Sequence, residues 1–171
     1  IENQVDVDQQ DFDGCTTLVA SAALGNAEVV EALLEGGAKV NSIDKEGCTA
    51  LIRAAENGKV QAVEHLLDHK AGINARDRTD RTALMRAAEK GEVESVKLLV
   101  ARKADVNACD KSMQTALLWA ALRGQTEVVK VLIANRADLK AADTNGWTPL
   151  KWAESKGHDD TVAVLKEAGA I

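Results

Sequence analysis

The chain has 171 residues, of which 46% are hydrophobic and only 2% aromatic, and it carries a formal net charge of −6. This acidity argues against indiscriminate binding to nucleic acid or to anionic membranes, because both need a basic surface. No apolar run approaches the ~18 residues that a membrane-spanning helix needs.

The cysteines and the first residues bear on the compartment. Three cysteines, an odd number, do not suggest a disulfide framework. The chain starts without the pattern of a secretory signal peptide. We therefore expect free thiols in a reducing compartment, cytoplasmic or nuclear, and not a secreted protein.

The sequence repeats itself every 33 residues over most of its length, and such a period is the sign of a repeat array. Each copy opens with an aspartate, at Asp11, Asp44, Asp77, Asp110 and Asp143. Positions within a copy are counted here as offsets from this aspartate. In the third copy the recurring residues at offsets five, seven, fourteen and twenty-two are Thr82, Leu84, Gly91 and Leu99.

The recurring pattern, D-x-x-G-x-T-x-L-x-x-A-A-x-x-G-x-x-x-x-V-x-x-L, resembles the ankyrin family over nearly the whole chain. The resemblance implies an all-α solenoid of stacked helix-turn-helix units with short β-hairpin finger loops. The expected repeats are 11–43, 44–76, 77–109, 110–142 and 143–171. Residues 1–10 align with the end of a repeat, so we interpret them as the tail of a truncated preceding repeat.

The side chains of each repeat favour the same pair of helices. Thr82 stands where its hydroxyl can accept a hydrogen bond from the first turn of helix one. Leu84 and Ala87 share one face of that helix, and Gly91 is suited to end it because glycine tolerates a positive φ. Valines and leucines at helical spacing then predict helix two.

The first and last repeats depart from this scheme. Repeat 1 is expected to expose an uncapped apolar first helix with Val19, Ala20, Ala22, Ala23 and Leu24, which suggests that something precedes it. Repeat 5 replaces apolar stacking residues by Lys151, Glu154 and Lys166. We interpret it as a C-terminal cap, because terminal repeats need a polar outer face.

The motifs of the common enzyme classes are missing from the sequence. It has no G-x-S-x-G, P-loop, H-E-x-x-H or C-x-x-C pattern. His65 and His69 lie one helical turn apart, but a metal site needs three or four ligands. We therefore predict no catalytic residue, no cofactor and no metal, with His65 packed in the helix pair and His69 at a helix end.

The resemblance also implies where a partner binds, namely the concave side made by the fingers and the first helices. The residues at the corresponding offsets include ten cations and only four acids, whereas the rest of the chain is acidic. All four aromatic residues also fall at these offsets. The predicted partner-binding residues are Arg53, Arg76, Arg78, Arg81, Arg86, Lys111, Trp119, Arg123, Trp147 and Trp152.

We therefore predict a monomeric, non-catalytic module that binds an acidic peptide or loop with an apolar anchor. Arginine suits bidentate contact with carboxylates, and tryptophan is enriched at binding hot spots. One alternative is a sensor of a nucleotide or short oligonucleotide held by the same arginines and tryptophans. Others are a structural spacer within a longer protein and a solvated surface whose Arg53–Glu56 and Arg86–Glu89 pairs only decorate a helix.

Overall fold

The computed structural model describes residues 7–171, and in this range the chain forms ten helices arranged as five consecutive pairs. The first helices of the pairs are α1 (Thr17–Leu24), α3 (Ala50–Glu56), α5 (Ala83–Lys90), α7 (Ala116–Leu122) and α9 (Pro149–Lys156). The second helices are α2 (Ala27–Glu35), α4 (Val60–Asp68), α6 (Val93–Ala101), α8 (Thr126–Ala134) and α10 (Asp159–Glu167). The predicted all-α repeat fold is confirmed.

The helices stack in two rows. Each odd-numbered helix packs on the next odd-numbered one, and each even-numbered helix on the next even-numbered one, while the two helices of a pair pack on each other. Leucine and alanine fill the layer between the rows, for example Leu84, Ala87 and Ala88, which are at most 1% exposed. Alanine lets the helices of adjacent repeats approach closely, which explains how a chain with so few aromatic residues builds a continuous core.

Local capping chemistry sets where the first helices begin and end. In every repeat the threonine at offset five accepts a hydrogen bond from the backbone N–H three residues on, as Thr82 does from Met85. Gly91 ends α5 with a φ of 82°, in the left-handed region. These observations confirm the predicted roles of the threonine and the glycine.

The opening aspartate of each repeat organises a finger, the turn formed by offsets zero to four. Its Oδ1 accepts hydrogen bonds from the backbone N–H groups at offsets two and four in all five repeats. Isolated antiparallel bridges join Gln10 to Thr16 and Ile43 to Thr49. At offset three the φ is positive, and Asp80 and Met113 adopt it where the other fingers have glycine.

Two series of hydrogen bonds connect successive repeats. The backbone N–H at offset one of each finger donates to the carbonyl at offset two of the preceding finger, as Lys111 does to Thr79 at 3.2 Å. On the other side of the helices, Asn41, Asn74 and Asn107 each accept a hydrogen bond from a backbone N–H 31 residues on. Asp8 makes the equivalent bond with the N–H of Lys39. The repeats are therefore held in a fixed register.

The first helix of repeat 1 differs in part from the sequence expectation. Val19 and Ala22 are buried, at 1% and 0% exposure, and belong to the core, so the expectation that they are exposed is wrong. They lie three residues apart on one face of α1, a helix that packs on both α2 and α3. Leu24 is 70% exposed and Ala20 is also exposed, as predicted.

At the other end, Lys166 and Glu154 form a salt bridge of 2.8 Å between α10 and α9. Lys151 is exposed, so the three polar replacements of repeat 5 lie at the protein surface. Of the predicted N-terminal tail, residues 1–6 lie outside the described residues. Within residues 7–171 no helix combines the length and the apolar character needed to cross a membrane.

Candidate functional site

The fingers and the row of odd-numbered helices are called here the inner face. Of the predicted site residues, four belong to fingers, namely Arg78, Arg81, Lys111 and Trp147, and four to odd-numbered helices, namely Arg53, Arg86, Trp119 and Trp152. Arg76 directly precedes finger 3, and Arg123 directly follows α7. From repeat 2 onward, the Oδ2 atom of the opening aspartate accepts a hydrogen bond from the side chain at offset nine, one turn into the first helix. The pairs are Asp44 with Arg53, Asp77 with Arg86, Asp110 with Trp119, and Asp143 with Trp152. Each aspartate therefore ties a finger to a helix.

Two of the predicted partner-binding arginines, Arg53 and Arg86, each contact more than one carboxylate of the chain. Arg53 contacts Asp44 at 2.6 Å, Glu46 at 2.9 Å and Glu56 at 3.5 Å. Arg86 binds Asp77 and also lies 3.7 Å from Glu56, which belongs to the preceding repeat. Their side chains are 22% and 17% exposed, so the charges are partly desolvated and neutralised within the chain.

A second network joins Arg81, Arg123 and Trp119. Arg81 contacts Glu89 at 3.0 Å and lies 3.5 Å from Asp110. Its guanidinium is stacked 3.6 Å from the centroid of the Trp119 ring, a cation–π contact. Arg123 binds the other oxygen of Glu89 at 2.7 Å. Trp119 is only 8% exposed as a result, and a partner would meet Arg81 before it met the ring.

The finger cluster, defined as Arg76, Arg78 and Lys111, is arranged differently. All three residues are exposed, and none lies within ion-pairing distance of a carboxylate among residues 7–171. Lys111 donates to the carbonyl of Arg78 at 2.7 Å, and Arg76 donates to the carbonyl of Cys109 at 2.7 Å. Their positive charges are therefore still available for a carboxylate or phosphate.

Trp147 and Trp152 form the aromatic part of the inner face. Their ring centroids lie 4.6 Å apart with the planes tilted by 43°, and both side chains are half-buried. Trp152 makes its ring contact with Trp147, whereas Trp119 stacks against Arg81. Phe12, the remaining aromatic residue, is fully exposed on the first finger.

The aspartates at offset zero were not among the predicted site residues, although they determine its electrostatics. A count of charges by offset gives a basic face, but Asp44, Asp77 and Asp110 direct a carboxylate oxygen to that same face. A recognisable signal was present in the sequence, because an aspartate with an arginine or tryptophan nine residues later recurs in four repeats.

Two of the histidines lie at helix ends, and one of the cysteines, Cys48, is buried. His69 ends α4 and its Nδ1 lies 2.9 Å from the carbonyl of His65, while His158 precedes α10 and contacts the carbonyl of Leu122 at 3.2 Å. No group of side chains suited to a metal ion occurs in the part of the chain that the structure describes. Burial raises the pKa of the Cys48 thiol to about 11, so its thiolate is rare at neutral pH.

A sequence model of ankyrin repeats matches the chain in three overlapping copies, over residues 1–77, 19–110 and 84–171. The chain belongs to the ankyrin repeat family. The resemblance predicted from the 33-residue period is thereby confirmed. A comparison with curated proteins gave no match. Ankyrin repeats generally serve as protein–protein interaction modules and are typically non-catalytic.

Proposed function

We propose that this ankyrin stack binds an acidic segment of another protein, and that the finger cluster of Arg76, Arg78 and Lys111 captures it. The observation that carries the proposal is the contrast between two groups of cations. Arg53, Arg81, Arg86 and Arg123 are paired with carboxylates of the chain. Among residues 7–171, by contrast, the polar contacts of the finger-cluster side chains are with carbonyl oxygens alone.

The physical argument concerns what each group gains from a partner. An arginine already paired gains little from a second carboxylate and would have to break its own contacts. An exposed cation without a carboxylate partner still has its full charge to offer, and an ion pair to it contributes about 0.5–1 kcal/mol. Clustered charges also attract an acidic partner before contact and increase its association rate. The finger cluster therefore contributes mainly to capture.

The apolar anchor of the partner fits best beside Trp147 and Trp152. Fingers 3, 4 and 5 are adjacent, since Lys111 N–H donates to Thr79 and Thr144 N–H donates to Ser112 at 3.0 Å. A segment along these fingers would place its carboxylates on the finger cluster and an apolar side chain against the tryptophan pair. Half-buried aromatic rings offer apolar area with little loss of side-chain freedom on binding.

The proposal assigns a supporting role to the remaining predicted residues. Arg53, Arg86 and Arg123 hold the fingers and helices of the inner face together through their carboxylates. Trp119 acts through Arg81, whose guanidinium it positions by stacking. A nucleotide or short oligonucleotide would use the same cations and rings, so the test below includes one.

Charge reversal of the finger cluster, Arg78→Glu with Lys111→Glu, is expected to slow partner association by about tenfold at low ionic strength. The probes are fluorescent peptides with several glutamates followed by one leucine or tryptophan, and a single-stranded oligonucleotide of equal charge. Stopped-flow measurement at several salt concentrations gives the association rate and its salt dependence.

The matched control is Lys97→Glu with Lys130→Glu, an equal charge change on exposed lysines of the even-numbered helices. The proposal requires the finger-cluster variant to lose most of the salt dependence and the control to change association much less. Equal effects of the two variants would contradict it. Binding of the oligonucleotide in preference to every acidic peptide would favour the nucleic-acid alternative instead.

A further inference from the structure

Repeat 1 has the opening aspartate but lacks the side chain that binds it. Asp11 Oδ1 accepts hydrogen bonds from the N–H groups of Asp13 and Cys15, as in the other fingers. The residue at offset nine is Ala20, which has no donor to offer Oδ2. Among the described residues, Asp11 is therefore the one opening aspartate whose Oδ2 accepts no hydrogen bond from a side chain.

A cavity of about 300 Å³ opens at this place on the inner face. It is lined by Asp11 and by Ala20 and Ala23 of α1, and repeat 2 has Arg53 and Glu56 at the positions of these two alanines. The volume lies at the lower end of the range of ligand pockets and suits a single long side chain. The cavity thus lies at the position that a longer side chain at offset nine would fill in repeat 1.

Of the four carboxylates that line the cavity, Asp11 is the one without an ion pair among residues 7–171. Two cations are in its wall, Lys45 and Arg53, and both are already engaged: Lys45 pairs with Asp13, and Arg53 with Asp44 and Glu46. Asp11 forms no ion pair within the described part of the chain. A cation brought from outside would therefore meet an unneutralised carboxylate.

We propose that this cavity binds an arginine side chain supplied by a partner, with the guanidinium on Asp11 and the methylene groups over Ala20 and Ala23. The chain contains its own template for the contact. Arg53 donates to Asp44 Oδ2 from both Nε and Nη2, at 2.9 and 2.6 Å, and Arg86 makes the same two-nitrogen contact with Asp77 Oδ2. A partner arginine would make with Asp11 the contact that Arg53 and Arg86 make with the opening aspartates of repeats 2 and 3.

Arginine fits this site better than lysine for two reasons. Its planar fork can place two donors on one carboxylate oxygen, and its guanidinium is more weakly hydrated than an ammonium group. The pKa of the neighbouring Cys15 thiol also indicates a negative potential. Burial is the largest cause of its raised pKa, and the negative charges of Asp11 and Asp44 raise it further. A guanidinium at the same place would be stabilised by these charges.

The site gives the bound segment a direction, and this part of the inference rests on the proposed function. An arginine would lie at repeat 1 while carboxylates lie on the finger cluster, whose residues belong to repeats 2, 3 and 4. The partner would therefore be charge-sorted, basic at one end and acidic at the other. Reversing the order of its charges would place like charges together at both ends, which weakens binding.

The first test uses Ala20→Arg, which supplies the guanidinium from the chain itself. Ala20 is exposed, so the larger side chain meets no packed core. We expect the variant to raise the Tm by about 2 °C or more, and Asp11→Asn in the same chain to abolish the gain. Ala20→Met is the control for apolar contact alone. A gain that persists with Asp11→Asn, or that Ala20→Met reproduces, would overturn the assignment to Asp11.

The second test supplies the guanidinium from solution. Acetyl-arginine amide, titrated into ¹⁵N-labelled protein, is expected to shift the amide signals of Asp13 and Cys15 in a saturable way, because these N–H groups bind Asp11. Acetyl-citrulline amide, its neutral counterpart, should leave them unchanged, and Ala20→Arg should block the response. Equal shifts with both compounds, or no shift with arginine, would overturn the proposal.

The finger-cluster variant Arg78→Glu with Lys111→Glu separates this inference from the proposed function. It should respond to acetyl-arginine amide like the unaltered chain, since neither residue lines the cavity. Loss of the arginine response in this variant would place the probe at another site and contradict the inference. Failure of acidic peptides to bind would leave the arginine response intact and would count only against the proposed function.

Discussion

Replacing Asp77 by alanine is expected to lower the free energy of unfolding by about 3 kcal/mol. The Asp77 side chain is fully buried against Arg86, and its other oxygen accepts hydrogen bonds from the backbone N–H groups of Thr79 and Arg81. Alanine would leave a guanidinium that is only 17% exposed with Glu56 alone, 3.7 Å away. It would also remove the acceptor that closes finger 3. Urea denaturation followed by circular dichroism measures the loss.

Asp11→Ala is the matched control for this prediction, because it removes the same turn acceptor where no arginine is bound. Its cost should be about 1 kcal/mol, the value of the hydrogen bonds within the finger. The difference between the two variants then measures the contact between finger and helix. Equal losses would mean that Asp77 stabilises the turn only, and the role given to Oδ2 would be wrong.

The same contact makes stability depend on pH. Burial by itself would raise the pKa of Asp77, but the hydrogen bonds from Thr79, Arg86 and the N–H of Arg81 outweigh it and hold the pKa below the ordinary value. A carboxyl group whose pKa is lower in the folded state stabilises that state above its unfolded pKa of about 4 and loses this contribution as the pH falls through the folded pKa. The stability difference between the unaltered chain and Asp77→Ala should therefore shrink below about pH 4.

Trp119→Ala is expected to destabilise the fold by about 3–5 kcal/mol, the range for removing a large buried aromatic residue. The ring is 8% exposed, donates from Nε1 to Asp110 at 3.0 Å, and lies beneath Arg81. Alanine would leave a cavity and deprive both charged neighbours of a partner. Thermal and urea unfolding of the purified variant measure the effect.

Trp152→Ala is the control, since Trp152 makes the equivalent bond to Asp143 but is only half-buried in the last repeat. Its cost should be clearly smaller than that of Trp119→Ala, and the reverse order would contradict the assignment of Trp119 to the core. A loss of binding in Trp119→Ala would reflect the fold as well as the interface. Trp147→Ala is therefore the better variant for testing the apolar anchor.

The fold could be predicted because its determinants are local and periodic. Thr82 acts on the first turn of its own helix and Gly91 on the last, so their spacing alone predicted where α5 lies. The exposure of Val19 could not be predicted in the same way. It depends on how α1 packs on two other helices, and the face of a short helix that turns inward is set by those neighbours.

The candidate site was predicted in outline, but the state of its charges was not. The sequence gives the number and offset of each charged residue, whereas ion pairing depends on where side-chain atoms lie. Asp77 and Arg86 are nine residues apart, and only the turn between finger and helix brings them into contact. For this reason the count of charges treated Arg86 and Arg78 alike, although the structure shows the first neutralised and the second without a carboxylate nearby among residues 7–171.

Because the asparagine hydrogen bonds between repeats recur with the 33-residue period, complete repeats could be removed without losing the bonding pattern. Asn74 binds the N–H of Asp105, and Asn107 binds that of Asp138, at the same separation of 31 residues. Excising residues 77–109 would bring Asp138 to the place that Asp105 now holds relative to Asn74, so the bond would re-form with a new donor. Excising any number of residues other than a multiple of 33 would change the separation of the pair that spans the junction and so misalign it. Natural length variation of this protein is thus expected to proceed by gain and loss of complete repeats.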